Sequence, residues 1–222
     1  MNTLSDNLIS KLNQKYPRFS NQEFERRRNA FEAAMERQNV RHVIIRGALK
    51  AGSSIQWLTG WPVTAEAIII YSIGEKPNLY VQHYNHLPLA TQLAHDCDVF
   101  WGGASGIESA LKDLKKRGAE NNAIGLVGTY SLTQIQRLQE FAKSVVDMTR
   151  DYIQLRLIKS SEELDWLRIG SALTDYGISA LKNGLEIGMD EREMGAIVES
   201  GYLDQGGENQ IHFFGVTSMN DP

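Results

Sequence analysis

Between residues 42 and 147, short β-branched runs alternate with helical stretches that open on capping residues, and this alternation limits the fold more than any other feature. His42-Val-Ile-Ile-Arg46 reads as a strand. Ala65 to Ser72 reads as a second. Ile68, Ile69 and Ile70 make it apolar on both faces, so a central position is expected. Gly74-Glu-Lys-Pro77 is turn chemistry, and Asn78 to Gln82 alternates as the partner strand of a hairpin. Leu87 to His95 is then helical and Asp98 to Trp101 a strand. A helix from Ser105 to Gly118, a strand from Ala123 to Val127, a helix from Ser131 through Phe141 and a strand from Ser144 to Asp147 follow. Strands that alternate with helices this way build a layered α/β domain with a mixed sheet, expected over residues 1–150.

Three helix starts before residue 150 carry Ser followed three residues on by Glu or Gln. They are Ser20/Glu23, Ser105/Glu108 and Ser131/Gln134, and each predicts a capping box. In the helix from Ser20, Phe24, Phe31, Ala34 and Met35 share one face. Arg26, Arg27 and Arg28 fall mostly on the other and read as a solvated face. Lys115, Lys116 and Arg117 close their helix where cations suit its dipole. Leu4, Leu8, Ile9 and Leu12 predict a short amphipathic helix ended by Pro17.

The pattern changes after Arg150. Ser161 to Asn183 predicts a long helix with Trp166, Ile169, Leu173, Tyr176 and Ala180 on one stripe. Gly170 and Gly177 lie on that stripe, where another backbone could approach. Asp190/Glu193 opens a further helix with Met194, Ile197 and Val198 inward, Gly206-Gly207 is a turn, and Gln210 to Thr217 reads as a strand. Residues 151–222 are too few for a complete domain of this kind, so they are expected to be the start of one.

Composition removes several functions. A single cysteine, Cys97, excludes an internal disulfide and suits a reducing cytosol. A net charge of −4 gives nucleic acid nothing to hold. The longest apolar run, Ala67 to Tyr71, is far shorter than a membrane span, and Met1 to Lys15 has no signal-peptide core.

Few residues offer chemistry. His83 and His86 could form a metal pair, but no further ligand lies close by on their element. His95-Asp-Cys-Asp98 could hold a reactive thiolate, or Cys97 could simply pack. Gly102-Gly-Ala-Ser-Gly106 leads into a helix without phosphate-loop spacing. Ser53-Ser54 and Ser160-Ser161 lack a hydrolase elbow. Trp57 and Trp61 flank Gly60 ahead of Pro62. They read either as core packing or as a contact for substrate or a second subunit.

A resemblance adds to this. Tyr152-Ile-Gln-Leu-Arg156-Leu-Ile-Lys159-Ser-Ser-Glu162-Glu163-Leu164 resembles the domain junction of the creatinase, aminopeptidase P and prolidase family, the pita-bread hydrolases. Leu167 to Ala172 and Asp175-Tyr-Gly177 resemble the helix that follows. Glu186-Ile-Gly188-Met-Asp-Glu191-Arg-Glu193 resembles its entry to the second helix, with Met189 and Asp190 in place of the usual Thr. Val198 to Gly207 and Phe214-Gly-Val-Thr-Ser218 resemble the next turn and strand. Phe31 to Ile45 and Trp57-Leu-Thr-Gly60-Trp61 resemble the creatinase-type N-terminal domain.

The resemblance implies residues 151–222 as the incomplete start of an α+β pita-bread domain. It implies a cytoplasmic homodimeric hydrolase of the Xaa-Pro aminopeptidase or prolidase type, acting on a peptide or small amide. That family holds two divalent ions, Mn or Zn, through two Asp, one His and two Glu, all downstream of the strand that ends near Ser218. Its first catalytic His follows a Ser-Gly-x-Asn stretch, whose place Ser218-Met219-Asn220 occupies with Met219 where Gly is usual, and His212 lies upstream of that position. No catalytic or metal residue is therefore carried onto this chain. The alternatives are a metal-free creatinase-like amidinohydrolase and a non-catalytic capping or dimerisation module.

Overall fold

The computed structural model describes residues 4–14, 18–48, 54–63 and 65–208. They form two compact units, one of residues 15–159 and one of residues 1–14 with 160–222. The contact boundary thus follows Lys159 rather than Arg150, and the first residues belong with the second unit.

In the larger unit the strands are β1 (His42–Ala48), β2 (Glu66–Ser72), β3 (Asn78–Val81), β4 (Asp98–Trp101), β5 (Ala123–Val127) and β6 (Ser144–Asp147). They make one sheet in the order β4-β3-β2-β1-β5-β6. β2 runs antiparallel to both neighbours and all other pairs are parallel. Gly74, at φ 77°, turns β2 back into β3. The mixed sheet and the central β2 expected from sequence are both present.

The strand period sorts the core into two layers. Ile45, Ile69 and Tyr71 face one side with Phe31, Met35, Ile55, Trp57, Trp61 and Tyr152. Ile44, Ile68 and Ile70 face the other with Ile107, Leu114 and Leu138. The first side is covered by α2 (Asn21–Arg37), α3 (Ser54–Thr59), α4 (Leu87–Leu93) and α7 (Thr149–Leu155). The second is covered by α5 (Gly106–Lys116) and α6 (Leu132–Phe141). Each fully buried isoleucine contributes about 1.5–3 kcal/mol. The sequence pattern did not identify α3 and α7 as helices.

Of the arginine run Arg26 is exposed and Arg28 half-buried, but Arg27 departs from the solvated face. Arg27 is 1% exposed and Glu23 4%. Arg27 Nε donates to Glu23 Oε1 at 2.7 Å and Nη1 to the Trp57 carbonyl at 2.7 Å, while the guanidinium lies 4.0 Å from the Phe19 ring centroid. Arg26 holds the same carboxylate at 2.8 and 2.9 Å, and Arg28 pairs with Asp96 at 2.7 Å. Three residues from Phe24 and four from Phe31, Arg27 lies on the apolar face of α2, so its position along the helix turns it inward although its charge predicts solvent.

Of the predicted capping boxes, Ser131/Gln134 is complete. Ser20 accepts from the Glu23 N–H. Ser105 makes no side-chain cap, and Glu108 instead pairs with Arg137 at 3.0 Å. Arg117 is more than a dipole cation. It donates to Asp113, Ser72, Glu75 and the Lys76 carbonyl, tying α5 to the hairpin turn.

The smaller unit holds α1 (Asp6–Leu12), α8 (Ser161–Gly184) and α9 (Glu191–Leu203). Ser160/Glu163 and Asp190/Glu193 both form complete capping boxes. Lys11 of α1 pairs with Asp165 of α8. α8 and α9 pack closely. A Cβ on Gly201 would fall 2.7 Å from Ala180 Cβ, and one on Gly177 3.2 Å from Val198 Cγ1. Gly177 thus serves the close approach expected of it, whereas Gly170 faces open space. On the predicted stripe Ile169 is buried, while Trp166, Leu173 and Tyr176 are half-buried. The predicted strand Gln210 to Thr217 and the helix stop at Pro17 lie outside the described residues.

The buried Glu23–Arg27 pair gives a first prediction. Glu23→Gln leaves Arg27 buried without its counter-charge and is expected to cost about 3–5 kcal/mol in urea unfolding. Burial raises the Glu23 carboxyl pKa, but the bonds to Arg26 and Arg27 outweigh this and hold it below the ordinary value. The contribution of Glu23 is therefore present above the unfolded carboxyl value of about 4.3 and is lost as pH falls through the lower folded value. A pH-independent difference between parent and variant from pH 7 down to 2 would contradict this.

Candidate functional site

The chemistry-bearing residues of the larger unit gather at two corners. At the first, α3 ends at Thr59, whose hydroxyl donates to the Ile55 carbonyl at 2.8 Å and accepts the Trp61 N–H at 3.2 Å. Gly60, at φ 85°, makes that reversal possible. The Trp57 ring meets Tyr152 edge-on at 5.4 Å, and the Tyr152 hydroxyl donates to the Ser54 carbonyl at 2.7 Å. Burial pushes the Tyr152 phenol well above its ordinary value, so it stays protonated. Trp57 is 8% exposed and Trp61 3%. Both indoles are thus buried within this chain.

Trp61 lies 6.0 Å from the His86 ring, and His86 meets His83 edge-on at 5.0 Å. The two histidines are brought together. Yet among the described residues no group of three or more His, Cys, Asp or Glu is placed to hold a metal ion. His212 lies outside the described residues.

At the second corner, His95 stacks on Phe24 at 4.2 Å and 8°, with Nε2 2.9 Å from Asn21 Oδ1. Burial lowers its pKa, Arg28 lowers it further and Asp96 opposes them. Cys97 Sγ donates to the His95 carbonyl at 3.3 Å. Burial, reinforced by Asp96, pushes this thiol up to about 12. A thiol this far above neutrality is no nucleophile, and the His95 ring is engaged by Phe24 rather than by sulfur. The residues from His95 to Asp98 form a packed junction. Ser109 Oγ donates to the Gly102 carbonyl at 2.9 Å, so the glycine loop is held as structure.

A polar cluster not foreseen from sequence lies between α5 and the β2–β3 turn. His42 Nδ1 sits 2.8 Å from Ser72 Oγ, and Asn78 Nδ2 donates to Asp113 Oδ2 at 2.8 Å. Arg117 donates to both Ser72 and Asp113. Burial lowers the His42 pKa, with Glu75 opposing and Arg41 and Arg117 adding to it. Burial and Asp113 push the Tyr80 phenol up to about 12. Ser72 and His42 are buried from solvent, so the cluster holds the turn rather than meeting a substrate. The four-residue spacing of Asp113 and Arg117 was its one sequence signal.

In the smaller unit a groove of about 430 Å³ runs between α8 and α9, lined by Leu173, Ile178, Val198 and Tyr202. No helix among the described residues is long and apolar enough to cross a membrane.

No protein-family model matches the chain. A Sinorhizobium fredii protein described as "Uncharacterized hydrolase/peptidase y4tL" is 26% identical over 199 residues, which are 81% of this chain and 50% of that protein. The X-Pro aminopeptidase from Thermotoga maritima superposes with a TM-score of 0.67 at 16% identity, covering 81% of this chain and 50% of the other. The prolidase from Thermococcus sibiricus gives 0.66 at 14% identity over 86% and 52%. The prolidase from Pyrococcus horikoshii gives 0.61 at 19% identity over 81% and 48%. The chain spans about half the length of these relatives. Over that span its fold is the one shared by the prolidases and X-Pro aminopeptidases of the pita-bread family.

Proposed function

We propose that this chain is part of a longer cytoplasmic hydrolase of the prolidase or Xaa-Pro aminopeptidase type, a homodimer that cleaves beside proline in short peptides. The fold shared with those enzymes over about half their length carries the reading. The resembling junction, Arg156 to Glu163, supports it, because its Ser160/Glu163 pair forms the capping box that starts α8. A single cysteine, with no partner in the chain for a disulfide, is in keeping with a reducing compartment.

A divalent ion, Mn or Zn, would supply hydroxide and stabilise the tetrahedral intermediate in the complete enzyme. The residues described here do not fit such a group, so they are assigned no ligand role and no step of the reaction. Their part is to build the scaffold on which the other half of the enzyme rests.

Two measurements test this. The complete protein that carries this chain is expected to release the N-terminal residue from an Xaa-Pro dipeptide or tripeptide in the presence of Mn²⁺. The 222-residue chain alone is expected to release none. Metal-dependent turnover by the short chain would overturn the division of labour. Turnover of creatine but not of Xaa-Pro peptides by the complete protein would replace the peptidase with the amidinohydrolase.

Trp57 and Trp61 are assigned to packing, with a substrate or subunit contact as the alternative. Truncating a core tryptophan costs about 3–5 kcal/mol, so Trp61→Ala is expected to lower the urea stability of the chain by that amount. A loss below about 1 kcal/mol, accompanied by weaker self-association, would assign the contact role.

A further inference from the structure

The loop that joins α8 to α9 turns apolar side chains to solvent. Ile187 is 108% exposed and Leu185 55%. Gly188, at φ 100°, reverses the backbone beside Ile187. Met189 and Met194 are half-buried, and with Leu185 and Ile187 they line a cavity of about 700 Å³. Methionine is unbranched and polarizable, so such a lining can adapt to the shape of an inserted apolar side chain. The loop is held by its own bonds. The Glu186 N–H donates to Met189 Sδ at 3.4 Å, the Met189 N–H to the Glu186 carbonyl at 3.4 Å, and the Asp190 carboxylate caps α9. A surface that is already ordered loses little further entropy on binding.

The rest of the lining is acidic. Glu186, Asp190 and Glu191 border the cavity, and among the described residues no Lys, Arg or His does. Asp190 is taken by the Arg192 and Glu193 N–H groups. Glu186 and Glu191 are exposed, and among the described residues neither carboxylate has an ion-pair partner. The surroundings have the same sign: from residue 160 to 208, eleven acidic side chains stand against three basic ones, Arg168, Lys182 and Arg192. Such a field repels the phosphates of nucleic acids and anionic lipids and draws in cations. The chain's own residues 209–222 contain neither lysine nor arginine, so they do not supply the complement.

We propose that the α8–α9 loop docks a basic amphipathic segment of another protein. An apolar side chain of that segment sits among Leu185, Ile187, Met189 and Met194, and its flanking lysines or arginines meet Glu186 and Glu191. Both features of the loop are needed to define this partner. A bare cation would leave Ile187 in water, and an uncharged apolar segment would leave both carboxylates without a partner. The two features do different work. The apolar anchor is the source of most of the affinity, because the exposed carboxylates are well hydrated and ion pairs at a rim add little. The carboxylates select the sign of the partner and speed its encounter, an effect that salt screens. The inference stands apart from the peptidase reading, since it uses only the charge and shape of this loop.

The probe is a short, fluorescently labelled, helix-forming peptide of leucine and lysine, and its binding is read by anisotropy on the 222-residue chain and on the complete protein that carries it. Both are expected to bind it. Ile187→Ser, at a side chain wholly in solvent, is expected to raise the dissociation constant about tenfold with unchanged circular dichroism. Glu186→Gln with Glu191→Gln is expected to slow association at low salt and to matter less at high salt. The same neutralisation at Glu25 and Glu36, exposed on α2, is expected to change neither. Failure to bind the peptide, equal binding of a leucine–glutamate peptide, or equal binding of oligolysine would overturn the proposal. So would binding that Ile187→Ser leaves intact. Binding by the short chain but not by the complete protein would assign the loop to the protein's own remaining half and overturn it too. Self-association of the chain that Ile187→Ser abolishes would do the same in favour of a second copy.

Discussion

The larger unit depends on one strand that runs against the rest. β2 lies antiparallel to β1 and β3 in an otherwise parallel sheet, and every residue from Ala67 to Ser72 is buried. A strand covered on both faces needs helices on both sides, and each must be reached by its own crossover. The tight turn at Gly74 carries β2 straight into β3, which frees the later connections to place α4 on one face and α5 and α6 on the other. Ile68, Ile69 and Ile70 then supply side chains to both layers from three consecutive positions.

Around this apolar centre, polar side chains do the positioning. Arg27 is anchored on α2 by Glu23 and reaches the backbone of α3 at Trp57, so a buried ion pair sets where the short helix sits. Arg117 does the same for α5 and the hairpin turn. A buried pair of this kind adds little net stability over an apolar replacement, but it tolerates few alternative arrangements, because each departure strands a charge away from water. Here that constraint fixes the Trp57–Tyr152 contact and with it the corner that carries Trp61.

The strands were legible because the β-branched runs end at glycine, proline and asparagine, and because β2 has no polar face. The long helices were legible where the capping residues found one another, as at Ser131 and Asp190. Ser105 shows the limit of that signal. Its partner Glu108 had the right spacing but was taken by Arg137, twenty-nine residues away in sequence. The helices α3 and α7 were missed because six or seven residues carry too little periodicity to separate a helix from a loop. Arg27 was misread for a related reason: charge predicts exposure only until a partner elsewhere in the chain offers a buried acceptor. The candidate site suffered most. Trp57 and Trp61 stand out from their place around Gly60 and Pro62, yet their packing involves Tyr152 and His86, which no local pattern connects to them.

The smaller unit poses the opposite problem from the sheet. Among the described residues it is a single layer of helices, and a layer of helices buries only the seam its members share. Gly177 and Gly201 bring α8 and α9 close enough for Val198 and Tyr202 to be buried in that seam. The same closeness leaves Leu167 on the surface of α8, Ile178 at the rim of the groove, and Leu185 and Ile187 on the loop beyond, all more than half exposed. Scattered exposed apolar residues are ordinary on a protein surface, but four within so short a stretch are not spread at random. The capping boxes at Ser160 and Asp190 fix both helix starts from within their own sequence. α8 and α9 can therefore hold their form without the burial of that outer surface, so the local signals specify the helices while the outward apolar residues contribute little to the stability of this unit.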